Sequence, residues 1–202
     1  MEGAEEKITP VVLVHGGLAE DMDAERFWTR PGITGGLMAR GFEVIAEDRD
    51  TSPASWPHAA NELAATIEST SDVVAASNGV SVAVRLALQY PRLVNRLLLL
   101  RPATAGDERV DAAWTNTVEH LLSGDTLRGI ADAELATLDH RVAVMAAEPD
   151  NPVHQRRTVE RLLALIPSST ELTPGCPEPP HPGFAPYLPG LLAHLTSALS
   201  EP

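Results

Sequence analysis

Hydrophobic residues recur along this chain as short β-branched runs separated by stretches of helical period. Residues 8–14 form the first run and stop at His15-Gly16-Gly17, the pattern of a strand buried on both faces that ends in a glycine turn. A short helix crossing Gly35 and Gly36 leads to a second run at 42–46, which passes into the polar 47–51. Residues 58–69 place Leu63 and Ile67 at helical spacing, and 72–76 then read as a third strand ended by Ser77-Asn78-Gly79. Residues 80–90 form an apolar helix stopped by Pro91, and 94–100 supply a fourth strand ahead of Arg101. Residues 141–146 read as a fifth strand, 151–166 as a helix and 169–172 as a short last strand. The proline-rich 174–189 reads as a loop, and Leu191, Leu192, Leu195 and Leu199 mark the packed face of a closing helix. This alternation predicts an α/β fold built on a mostly parallel, doubly wound sheet of about six strands.

Residues 103–140 interrupt the alternation. Their pattern is mostly helical, with Val118, Leu121 and Leu122 on one face, and they form the candidate for a short lid-like insertion. The 202 residues suit a single domain over 1–202.

Charge narrows the functions. The formal net charge is −13 and Lys7 is the sole lysine, so the basic surface that nucleic acid or an anionic membrane would need is missing. The acidic start lacks the basic and apolar regions of a secretory leader, and a cytoplasmic protein is expected. The apolar runs at 11–14 and 97–100 fall far short of the ~20 residues that span a bilayer. Cys176 is the single cysteine, which leaves no internal disulfide and no cysteine cluster for a metal. No metal and no cofactor is expected.

The chemistry concentrates at residues 75–79, Ala-Ala-Ser-Asn-Gly, between a buried strand and a helix. A sharp turn there would hold Ser77 in a strained backbone conformation, and it requires small residues two positions to either side. Ala75 and Gly79 meet that need. The start of the following helix also directs backbone N–H groups toward developing negative charge, with Asn78 N–H as one donor.

In these residues the chain resembles the α/β-hydrolase superfamily: the segment from Ser77 to the Tyr90-Pro91 stop is similar to its nucleophile elbow and following helix. His15-Gly16-Gly17 resembles the oxyanion loop of that family, which implies Gly17 or Leu18 N–H as the second donor. Asp48-Arg49 is similar to the aspartate-arginine pair after the next strand, although the glycines that usually follow are replaced by residues 50–53. The family order of serine, acid and histidine implies Asp150 as the acid, with Glu148 a nearby competitor, and His181 in the proline-rich loop as the base. His154 and His194 fall inside predicted helices. The two strands that usually precede the oxyanion loop are missing, so the resemblance implies a trimmed fold with a short lid and a shallow pocket. Trp28, Arg101, Trp114 and Phe184 are candidate pocket residues, Arg101 for an anionic group or for an exposed salt bridge.

The activity so implied is hydrolysis of a small carboxylic ester or related acyl bond through an acyl-enzyme on Ser77. Thioester, lactone or carbon–carbon bond hydrolysis on the same triad, and a silent ligand-binding member of the fold, are the alternatives. Nucleotide binding is disfavoured, because residues 15–20 lack the glycine pattern that lets a pyrophosphate approach and carry Glu20 instead. The expected partner is a small acyl substrate, and the chain is expected to be a monomer or homodimer.

Overall fold

A computed structural model describes residues 9–112, 114 and 118–201. The acidic start with Lys7, the beginning of the first expected strand at Ile8, and positions 113 and 115–117 of the expected lid lie outside the described residues.

Six strands form one parallel sheet: β1 (Val11–Val14), β2 (Val44–Ile45), β3 (Ser71–Ser77), β4 (Val94–Pro102), β5 (Arg141–Ala147) and β6 (Ser169–Cys176). Their order across the sheet is β2-β1-β3-β4-β5-β6. The order reverses at β1, so the carboxyl ends of β1 and β3 open the crevice where α/β sheets place their ligands.

The central strands are largely apolar because both faces are covered, while the edge strands β2 and β6 are partly exposed. Val12, Val14, Val73, Ala75, Leu97, Leu99, Val142 and Val144 point to one face. There they meet α2 (Trp56–Thr66), α3 (Gly79–Gln89) and α6 (Arg156–Leu165). The alternate residues, Val11, Leu13, Val74, Ala76, Leu98, Leu100, Ala143 and Met145, meet α1 (Ile33–Met38) and α7 (Leu188–Ser200) on the other. Burying a leucine or valine contributes roughly 1.5–3 kcal/mol, so the two faces anchor the sheet on which the loops are mounted.

Three expectations change. The segment 103–140 is largely irregular among its described residues. It holds only the short helices α4 (Glu108–Asp111) and α5 (Asp132–Leu135), a 3₁₀ turn at Glu119–Leu121, and bridges that pair Leu127 with Thr104 and Ile130. Its apolar side chains Val118, Leu121, Leu127, Ile130, Leu135 and Leu138 are buried in the core, so burial rather than helical packing gives them their spacing. The last strand runs to Cys176, so the proline-rich stretch begins inside it. The helix expected from residue 151 starts at Arg156, because Asn151 folds residues 151–154 into a turn, its Oδ1 accepting the N–H groups of Val153 and His154 at 3.1 and 3.0 Å.

Candidate active site

Ser77 ends β3 with φ +54°, the left-handed region that a non-glycine residue enters only at a cost, and Asn78 begins the turn into α3. Local packing forces this shape. A Cβ on Gly79 would lie 2.5 Å from the His15 carbonyl oxygen and 2.7 Å from that of Val14, so the helix starts directly against β1. A Cβ on Gly16 would lie 2.9 Å from the Ser77 Cβ, which places the glycine loop after β1 beside Ser77. Both glycines are therefore required by close approach.

Arg49 organises that loop. Its guanidinium donates to the carbonyl oxygens of His15, Gly16 and Gly17 at 2.9, 2.8 and 2.6 Å. In a trans peptide the N–H points opposite the carbonyl, so these bonds turn the amides of Gly16, Gly17 and Leu18 away from Arg49. His15 locks the other side: its Nδ1 bonds the Gly16 carbonyl oxygen at 2.7 Å and its Nε2 accepts the Arg49 N–H at 3.1 Å. Burial, then the Arg49 charge, lowers the His15 pKa to about 4, so it serves as a neutral strut. Burial, and next the Glu178 charge, raises the pKa of Glu20 in the same loop. The expected oxyanion donors stand on the two segments that meet here, Gly17 and Leu18 in the loop after β1 and Asn78 at the start of α3.

The histidine at Ser77 is His154. Its Nε2 lies 2.8 Å from Ser77 Oγ, and the ring is buried. The turn at 151–154 is lashed to the loop after β4: Thr104 N–H donates to the Val153 carbonyl at 2.7 Å, and Gln155 N–H to Thr104 Oγ1 at 3.0 Å. Glu178, from the loop after β6, brings Oε1 to 3.5 Å from the same His154 nitrogen. Burial raises the Glu178 pKa against the pull of Arg101, the Ser77 hydroxyl and His181. For His154, burial first and the charges of Arg101 and Arg128 next lower the pKa to about 3, with Asp150 opposing, so the ring is neutral at neutral pH.

This geometry corrects the expected pairing of Ser77 with His181. His181 is exposed and its Nδ1 accepts its own loop's Gly183 N–H at 3.0 Å. Asp150 is exposed and caps α6, accepting the Arg156 N–H at 2.7 Å, while reaching His154 only through its field. Histidine and carboxylate have thus exchanged loops: the histidine follows β5 and the carboxylate follows β6.

The pocket candidates divide. Trp28 and Phe184 are core residues under the sheet, with Trp28 packed edge-on against Phe27. Arg101 is fully buried at the end of β4 beside the elbow. Trp114 lies under the guanidinium of Arg128, 5.5 Å from its ring centre. Arg128 had no signal in the sequence, yet it is fully buried and donates to Asn78 Oδ1 at 2.9 Å and Asp111 Oδ1 at 3.1 Å, tying the 103–140 segment to the elbow. Among the described residues, no three His, Cys, Asp or Glu side chains are grouped to hold a metal ion, and no helix is long and apolar enough to cross a membrane.

No protein-family model matches this sequence, and no curated protein does. Solved structures share its fold. The chain aligns with BpoC from Mycobacterium tuberculosis at TM-score 0.74 and 14% identity, over 96% of this chain and 94% of that one. A meta-cleavage product hydrolase from Pseudomonas fluorescens aligns at TM-score 0.67 and 18% identity, over 94% and 91%. Carboxylesterase CesB from Bacillus subtilis aligns at TM-score 0.65 and 15% identity, over 96% and 85%. The fold is that of the α/β-hydrolases, in a reduced six-stranded form.

Proposed function

We propose that the chain is a serine-nucleophile hydrolase that cleaves a small carboxylic ester or related acyl bond, with Ser77 as nucleophile and His154 as its general base and acid. The observation that carries this reading is the 2.8 Å contact between Ser77 Oγ and His154 Nε2 at a left-handed elbow. Ser77 Oγ attacks the acyl carbon while its proton passes to Nε2. The oxyanion is met by Asn78 N–H and by Gly17 or Leu18 N–H, each donor contributing roughly 3 kcal/mol. The imidazolium returns the proton to the leaving oxygen, and a water deprotonated by His154 then releases the acid and restores the serine. Glu178, on the same edge of the ring, stabilises the imidazolium while it exists. A carboxylesterase and a meta-cleavage product hydrolase share the fold, and ester and carbon–carbon bond hydrolysis both fit this machinery.

The test is covalent labelling with a fluorophosphonate followed by peptide mapping, alongside hydrolysis of p-nitrophenyl acetate and butyrate. Label on Ser77 and turnover lost in Ser77→Ala are expected. A folded protein that takes no label and turns over no ester would instead be a ligand-binding member of the fold.

A further inference from the structure

We propose that the buried guanidinium of Arg101 receives a carboxylate carried by the substrate, so that the site prefers acyl compounds with a second, anionic end. This rests on the reading of Ser77 as nucleophile. Arg101 is fully buried, and the Glu178 carboxylate acts on it through its field, yet among the described residues its hydrogen bond goes to Cys176 and none goes to a carboxylate. Its Nη1 donates to Cys176 Sγ at 2.8 Å, and burial raises that thiol's pKa, so its partner is a neutral, weak acceptor. Its Nε and Nη2 bond nothing among the described residues. Those two nitrogens form one edge of the guanidinium, the edge that holds a carboxylate through two parallel hydrogen bonds. A buried cation in this condition is costly unless an anion joins it.

The neighbouring arginines are already engaged. Arg128 spends both terminal nitrogens on Asn78 and Asp111, and Arg49 spends its own on backbone carbonyls. Position and strain single out Arg101 as well. Ser77 pairs across the sheet with Pro102, which puts Arg101 beside the nucleophile. The three left-handed non-glycine residues among those described are Ala19, Ser77 and Arg101, and they mark the oxyanion loop, the nucleophile and this guanidinium. Strain of this kind is retained where a side chain must be aimed. Arg101 is also one of the charges that weaken His154 as a base. A carboxylate on Arg101 would cancel that charge and restore basicity as the substrate binds.

The test compares mono-4-nitrophenyl adipate with 4-nitrophenyl hexanoate, which match in length and leaving group. The wild-type kcat/KM ratio should favour the hemiester by about tenfold or more, and Arg101→Gln should bring the ratio close to one. Arg101→Lys, which keeps the charge and loses the fork, should fall between. Binding is read separately: free adipate should raise the Tm of the Ser77→Ala protein and leave Ser77→Ala/Arg101→Gln unmoved, with circular dichroism confirming that both are folded. Equal use of the two esters by wild type, or a preference that survives Arg101→Gln, overturns the proposal. If Ser77 takes no fluorophosphonate and no ester is cleaved, the hydrolase reading has failed, and the adipate shift still decides whether Arg101 binds a carboxylate. Should the Arg101 variants not fold, the Ser77→Ala protein decides alone, and the absence of an adipate shift there overturns the proposal.

Discussion

Arg49 and His15 hold each other by backbone and side chain at once: Arg49 N–H donates to His15 Nε2 at 3.1 Å, and Arg49 Nε donates back to the His15 carbonyl at 2.9 Å. Through this clasp a residue after β2 shapes the loop after β1, and the Asp48-Arg49 pair visible in the sequence gains a physical task. Arg49→Lys keeps the charge but cannot reach three carbonyls with one planar group. We expect kcat for p-nitrophenyl butyrate to fall on the order of a hundredfold with little change in KM, because the loss falls on the oxyanion. A larger rise in KM than fall in kcat would place Arg49 in substrate binding instead.

The two candidate histidines separate cleanly by substitution. His154→Gln should lower kcat on the order of a thousandfold, since the nucleophile loses its proton acceptor. His181→Gln should change it only a few-fold, through the field at Glu178. Steady-state hydrolysis of p-nitrophenyl butyrate checks both, and the reverse ranking would return the base to the loop after β6.

Much of the fold was legible because it is written locally. Runs such as 97–100 name a strand buried on two faces, and Ser77 with Gly79 names the turn, since the carbonyls of Val14 and His15 leave no room for a side chain at 79. The pairing of Ser77 with His154 was not legible, because it depends on contacts between distant segments. His154 reaches Ser77 only through the Asn151 turn and the bonds to Thr104, whereas the periodicity of 151–166 predicts a helix around it. The Asn151-Pro152 dipeptide was the available signal, since it favours a turn as readily as a helix start. Arg128 gave none: nothing near position 128 distinguishes an arginine buried against Asn78 from one in water.

Asp150 tests the exchange of loops from the other side. Its carboxylate satisfies the first free N–H of α6, a role that side-chain caps fill at about 1 kcal/mol. Asp150→Ala should lower Tm by roughly 2–4 °C while leaving kcat within a few-fold of wild type. A loss of activity comparable to that of His154→Gln, at unchanged Tm, would reinstate Asp150 as the acid behind the histidine.

Acid should expose the buried histidine in both stability and rate. Unfolded, His154 titrates near 6.5, and in the folded protein at about 3, so on acidification the unfolded chain takes up the proton first. The contribution of the neutral ring to stability is complete above about pH 6.5 and is lost progressively as pH falls toward 3, on the order of 5 kcal/mol in all. Between pH 7 and pH 5 the wild type should lose about 2 kcal/mol more than His154→Gln, measured by urea denaturation. His15, held at about 4 by burial, acts in the same direction in both proteins and cancels from that difference. The same depressed value keeps the base unprotonated well into acid, so kcat for a neutral ester should show no inflection near pH 6.5 and should decline only as pH falls toward 3. An inflection at 6.5 with no stability difference between the two proteins would mean that the histidine acting on Ser77 is exposed to water, as His181 is and His154 is not.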